Sequence, residues 1–185
     1  MPRKVYDFSN PRRFVAGTVG QPGERTFYLQ AADDTKTITV ALEKEHVQVL
    51  ADRLDDIIDE VVRRGTVAQI EAPPSDLEPL EMPIDEEFRV SALGLAWDDD
   101  QKAVVIEAVS GETGTLDEDQ IFSDDDEGPD VLRVTLDAAA ARSFAQRASA
   151  VVHAGRTPCP LCGTPLDPAG HICPRQNGYH RAILT

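Results

Sequence analysis

Three early apolar-rich segments, residues 13–20, 25–31 and 36–42, read as strands, and the last alternates apolar and polar residues with a period of two. The last is clearest, with Ile38, Val40 and Leu42 on one side, as a half-buried strand requires. Gln21-Pro-Gly-Glu24 and Asp33-Asp34 separate these segments with turn chemistry. Proline presets one backbone angle and glycine supplies a positive one. The three segments therefore predict a meander, preceded by a short extended stretch over residues 4–8 that Ser9-Asn-Pro11 ends. The period then changes. Val47, Leu50, Leu54, Ile57, Ile58 and Val61 recur at steps of three and four, which places them on one face of a helix. Asp52, Asp55, Asp56, Asp59 and Glu60 fall mostly opposite. Gly65, after Arg63-Arg64, is a stop signal with basic residues at the negative end of the helix dipole.

Residues 71–87 hold four prolines and many acids, and read as a linker or surface crossing. A second cycle follows: strands over 88–97 and 102–109 around the turn Asp98-Asp-Asp-Gln101, a strand over 131–136, and an alanine-rich helix over 137–153. Residues 111–130, rich in Gly, Asp and Glu, are expected to form a mobile loop. The halves align: Val40-Ala-Leu42-Glu43 with Val134-Thr-Leu136-Asp137, Arg53 with Arg147, and Ile57-Ile58 with Val151-Val152. Glu43 and Asp137 stand where an acid can cap a helix. The pattern predicts an α+β body over residues 1–153 built from a duplicated β-β-β-α unit (halves about 1–70 and 85–153). It predicts an antiparallel sheet with two helices on one face. Residues 154–185 form a separate tail.

Composition, 41% hydrophobic and 28% charged, is that of a globular chain, while the net charge of −15 is strongly acidic. Nonspecific nucleic-acid binding rests on phosphate neutralisation, so this balance opposes it. The charge is uneven: residues 153–185 carry +2, which leaves −17 on the rest. No apolar run approaches the roughly 20 residues that cross a bilayer, and no secretory h-region opens the chain. A cytoplasmic protein is expected.

All three cysteines lie in the tail, as Cys159-Pro-Leu-Cys162-Gly and His171-Ile-Cys173-Pro. An odd count with one Cys-x-x-Cys pair points to a reducing compartment and a metal rather than disulfides. The tight turn brings two thiolates to one point. Zinc takes four ligands in a tetrahedron, so Cys159, Cys162 and Cys173 need a fourth, and both His171 and His180 have workable spacing. His171 is favoured because residues two apart in an extended segment face the same side. A zinc bound by four protein ligands is of the closed, structural kind. Arg175, with Asn177 and Tyr179, is the candidate contact for a small anionic ligand, since Arg pairs bidentately with carboxylate or phosphate. Asp98-Asp-Asp100 and Asp124-Asp-Asp-Glu127 lack the alternating ligands of a calcium loop and read as solvated turns.

From its opening Val5-Tyr-Asp-Phe-Ser-Asn-Pro-Arg-Arg-Phe14 to its closing Cys159-Pro-Leu-Cys-Gly through Gly178-Tyr179, the chain resembles an actinobacterial family of unknown function, domain of unknown function 3090. The resemblance implies a cytosolic protein with a C-terminal zinc knuckle and an accessory role, and it transfers no activity. No nucleophile–base set, P-loop or dinucleotide-binding glycine loop is present. The expected function is therefore a non-enzymatic adapter with a structural zinc and a protein partner. The alternative is a small-ligand-binding protein or enzyme acting on a phosphorylated or nucleotide-like molecule.

Overall fold

Seven strands and two helices form the body in a computed structural model that describes residues 3–71, 73–111, 128–155, 158–163, 166, 171–173 and 175. In chain order these are β1 (Val5–Ser9), β2 (Arg13–Val19), β3 (Thr26–Ala32), β4 (Thr37–Leu42), α1 (Lys44–Arg63), β5 (Glu86–Asp98), β6 (Ala103–Ser110), β7 (Val131–Asp137) and α2 (Ala138–His153). The expected loop over residues 111–130 lies, at 112–127, outside the described residues. No helix among the described residues is long and apolar enough to cross a membrane.

The strands lie in one sheet in the order β1-β7-β6-β5-β4-β3-β2. The sheet is mixed, which corrects the antiparallel expectation. β1 runs parallel to β7, and β4 parallel to β5, while the remaining pairs are antiparallel. The β4–β5 pair is parallel because α1 and the following segment intervene, returning the chain to the end from which β4 started. β1 had been set apart from the first meander, and it completes the second half instead. The β-β-β-α order recurs, but the halves differ in detail. Asp137 caps α2 by accepting from the Ala140 amide at 2.8 Å. Glu43 makes no such cap and instead accepts from Arg89 Nη1 at 2.7 Å.

The period-two positions meet the period-three-and-four positions in one core. Phe27, Leu29, Val40, Leu42, Val104, Ile106, Leu132 and Val134 face Val47, Leu50, Leu54 and Ile58 of α1 and Ala141, Phe144, Ala145 and Ala148 of α2. Arg142 of α2 locks the helices together by donating to Asp55 at 2.6 Å and to Asp59.

The edges β1 and β2 are neighbours in sequence, separated by residues 10–12. In a flat seven-stranded sheet they would stand about 29 Å apart. The link from Ser9 to Arg13 reaches at most about 14 Å. The sheet therefore coils, as accumulated strand twist allows, and α2 spans the gap. It leaves β7 directly, stacks Phe144 on Phe14 of β2 with ring centroids 4.5 Å apart, and carries Arg147 to the β2 edge.

Arg147 is 7% exposed, and its Nε donates to Ala16 O at 2.8 Å. Its other nitrogens donate to Glu78 O at 2.8 Å and to Asp76 O. The segment read as a linker or surface crossing is thus a strap fastened across the β2 edge. Arg13 grips Asp76 at 2.5 Å, and Gln30 exchanges amide hydrogen bonds with the Glu81 backbone at 2.8 and 3.0 Å. Leu80 packs on Gly17, where a Cβ would come within 2.6 Å of it. Covering the edge blocks pairing with another chain.

Hydrogen bonding from Arg13 holds the Asp76 carboxyl below its ordinary value, and Arg12 does the same for Glu81. A depressed folded pKa contributes stability above the unfolded value and loses it as pH falls through the folded one. Thermal stability should therefore be level above about pH 5 and fall below about pH 4. Asp76→Asn should flatten that acid limb. Arg147→Met strands three backbone carbonyls that are buried or partly buried and should cost about 3 kcal/mol by denaturant unfolding at pH 7. A loss under about 0.5 kcal/mol, the ordinary surface range, would remove Arg147 from its place in the fold.

Candidate metal centre

α2 ends at His153, and the tail then folds back on itself through residues far apart in sequence. Cys159, Cys162, His171 and Cys173 each offer one donor atom, and the four donors lie within 4.8 Å of one another. Cys159 and Cys173 are buried, while Cys162 and His171 are half-buried. None of the three cysteines is in a disulfide. The Cys159 and Cys173 sulfurs are 3.8 Å apart, far beyond the roughly 2.05 Å of a disulfide. It matches the separation of about 3.8 Å that a tetrahedral ion with metal–sulfur distances near 2.3 Å imposes. Cys162 Sγ lies 3.2 Å from His171 Nε2, somewhat inside the corresponding sulfur–nitrogen spacing of about 3.5 Å. Four soft or borderline donors converging without a covalent link are what a metal ion needs, and the cluster could hold one.

The local sequence explains the convergence. Gly163 has φ +74°, a conformation that glycine adopts without strain, and its amide donates to Cys159 O at 2.8 Å. That bond closes the Cys-x-x-Cys turn through the carbonyl. Ile172 lies between His171 and Cys173 and points outward, 83% exposed, so the period-two reading of this segment holds. His171 presents Nε2 to the cluster. Its Nδ1 is buried with no hydrogen-bond partner.

Arg175, singled out for an anionic ligand, donates Nη1 to Leu161 O at 3.1 Å. It ties the second arm of the knuckle to the first. Asn177, Tyr179 and His180 lie outside the described residues. The acidic turn at Asp98 is explained by its own backbone: Oδ1 accepts from the amides of Asp100 and Gln101, both at 2.9 Å. The second acidic run, Asp124–Glu127, lies outside the described residues. Trp97 is half-buried against the core, with Nε1 on Asp99 Oδ1 at 3.0 Å. Sequence reasoning missed the strap's fastening by Arg13 and Arg147. Its only signal was an arginine on the apolar face of the second helix.

Gly163→Ala places a Cβ on a left-handed residue at a cost of about 1–2 kcal/mol. The knuckle has almost no apolar core to absorb this, so the cost should appear as metal affinity lowered about 5- to 30-fold in chelator competition. The body's thermal midpoint should stay unchanged. Unaltered metal affinity would show that the turn is not needed to assemble the donors.

Comparison with curated proteins finds no match, and comparison with solved structures finds none. The family described as "Protein of unknown function (DUF3090)" matches residues 6–173, from β1 through the last cysteine of the cluster. The body and the four converging donors thus fall within a single family pattern, and the chain belongs to the DUF3090 family.

Proposed function

We propose that this chain is a zinc-binding, non-enzymatic interaction protein whose acidic body carries a metal-folded knuckle as its docking element. The carrying observation is the donor set itself: four protein donors within 4.8 Å of one another, three of them sulfur. Sulfur-rich four-donor sets select zinc over the hard cations. With four protein ligands the ion has no open position for a substrate, so its work is structural. Cys159, Cys162, His171 and Cys173 would hold it, with His171 ligating through Nε2. Bound zinc supplies the folding free energy that the tail's small apolar content cannot. The same knuckle presents Leu161 and Ile172, 49% and 83% exposed, at its surface. Apolar side chains on a metal-rigidified turn suit a protein partner, because little further ordering entropy is lost on contact. We also read the recurring β-β-β-α order as duplication of one unit, with Leu42 and Leu136 as matching strand-end residues.

Purified protein should contain about one zinc per chain by elemental analysis. His171→Ala should weaken zinc by more than the roughly 10- to 100-fold typical of losing a supporting residue. His180→Ala should leave it close to wild type. The reverse order would move the fourth ligand to His180, and absence of zinc from wild type would overturn the reading. For the docking role, Leu161→Asp/Ile172→Asp should retain zinc and lose the proteins that co-purify with wild type from native cells. Identical co-purifying proteins would place docking elsewhere.

A further inference from the structure

A cleft of about 570 Å³ opens where α2 runs into the tail, between the end of that helix, the start of α1 and the β2–β3 turn. Its charged and titratable side chains are Arg25, Lys44 and His153, with Gln48 beside them and Phe27 and Val152 among its apolar lining. Among the described residues no carboxylate lines it, in a chain with 33 acidic residues against 18 basic ones. A cleft of one sign, opposite to that of the whole molecule, is a local selection for anions.

The donors are not consumed by the fold. Lys44 makes no ion pair or side-chain hydrogen bond among the described residues. Arg25 spends only Nη1, on Ala154 O at 3.0 Å, which holds the guanidinium at the rim. His153 Nδ1 lies 2.7 Å from Ser149 O. A carbonyl only accepts, so Nδ1 carries the proton, and Nε2 donates to an anion when the ring is doubly protonated. Glu43, which could have neutralised this end of α1, is turned away to Arg89. The volume lies within the range of small-molecule sites, roughly 300–1,000 Å³.

We propose that this cleft binds the phosphomonoester group of a small organic molecule. Two full cations with histidine and amide groups match a phosphate, with a charge of about −1.5 to −2 and three acceptor oxygens, better than a singly charged carboxylate. Phe27 and Val152 offer apolar surface to the organic part. The proposal rests on neither the zinc nor the adapter reading, since the cleft is built from the body and from the residues that immediately follow α2.

The test titrates the zinc-loaded full chain with phenyl phosphate, inorganic phosphate, benzoate and sulfate, followed by backbone amide NMR shifts. Phenyl phosphate should saturate, with shifts centred on Arg25, Lys44, Gln48 and His153, and should bind at least about fivefold tighter than benzoate or sulfate. Lys44→Gln should weaken it about tenfold, a typical size for one charge-assisted contact, with unchanged thermal midpoint and zinc content. Arg25→Gln should act in the same direction, and its effect on Ala154 is checked by the same midpoint. Equal binding of inorganic phosphate would overturn the organic ligand, and equal binding of sulfate would overturn the phosphate. No saturation at about 10 mM, or full affinity in Lys44→Gln, would overturn the site.

Discussion

The three residues between β1 and β2 constrain everything else in this fold. They make the two edges of a seven-stranded sheet consecutive in sequence, and the sheet has to coil to satisfy them. Coiling leaves an edge carbonyl row that needs covering. Arg147 answers that need from α2 and fastens the strap in the same act, bonding Ala16 O, Asp76 O and Glu78 O from one buried guanidinium. A lysine could not do this, because a single ammonium lacks the planar fork that reaches three acceptors in fixed directions.

This places α2 at the centre of the functional geometry. The helix starts from β7, crosses to β2 and ends at His153, where both the cleft and the tail begin. Its burial against α1 and the sheet fixes the point from which the knuckle hangs. The body draws its stability from a continuous apolar core, with Leu29, Leu50, Leu54, Ile58 and Leu132 all buried. The knuckle has four converging donors and, among its described residues, few buried side chains, with Leu161 and Ile172 turned outward. With zinc bound as proposed, two different sources of folding free energy would act on one chain, separable at the end of α2.

Local patterns exposed most of the elements. The alternation of Ile38, Val40 and Leu42 marked β4, and the spacing of Val47, Leu50 and Leu54 marked α1. Gly65 ended the helix as expected, with φ +72° and its amide on Val62 O at 2.9 Å. Strand order was less legible, because pairing is set by non-local contacts that leave no period. Nothing in Lys4-Val-Tyr-Asp-Phe8 distinguishes a parallel partner at Val131 from an antiparallel one nearby. The strap's fastening was not legible for a related reason. Its prolines and acids describe a solvated linker, and its fastening depends on Arg13, Gln30 and Arg147, each distant in sequence. The donor cluster was legible because the Cys-x-x-Cys turn and the His-x-Cys pair each carry their geometry locally. The cleft was invisible, since Arg25, Lys44 and His153 belong to three separate elements.

The central claim is that the body folds by its own core and the knuckle by its metal. Hydrogen exchange on the full chain, with zinc bound and after its removal by chelation, tests this directly. The claim predicts that amides of residues 158–163 and 171–173 lose protection when zinc leaves, while those of β3, β6, α1 and α2 keep theirs. Protection of the knuckle without metal, or loss of protection across the body with it, would contradict the claim.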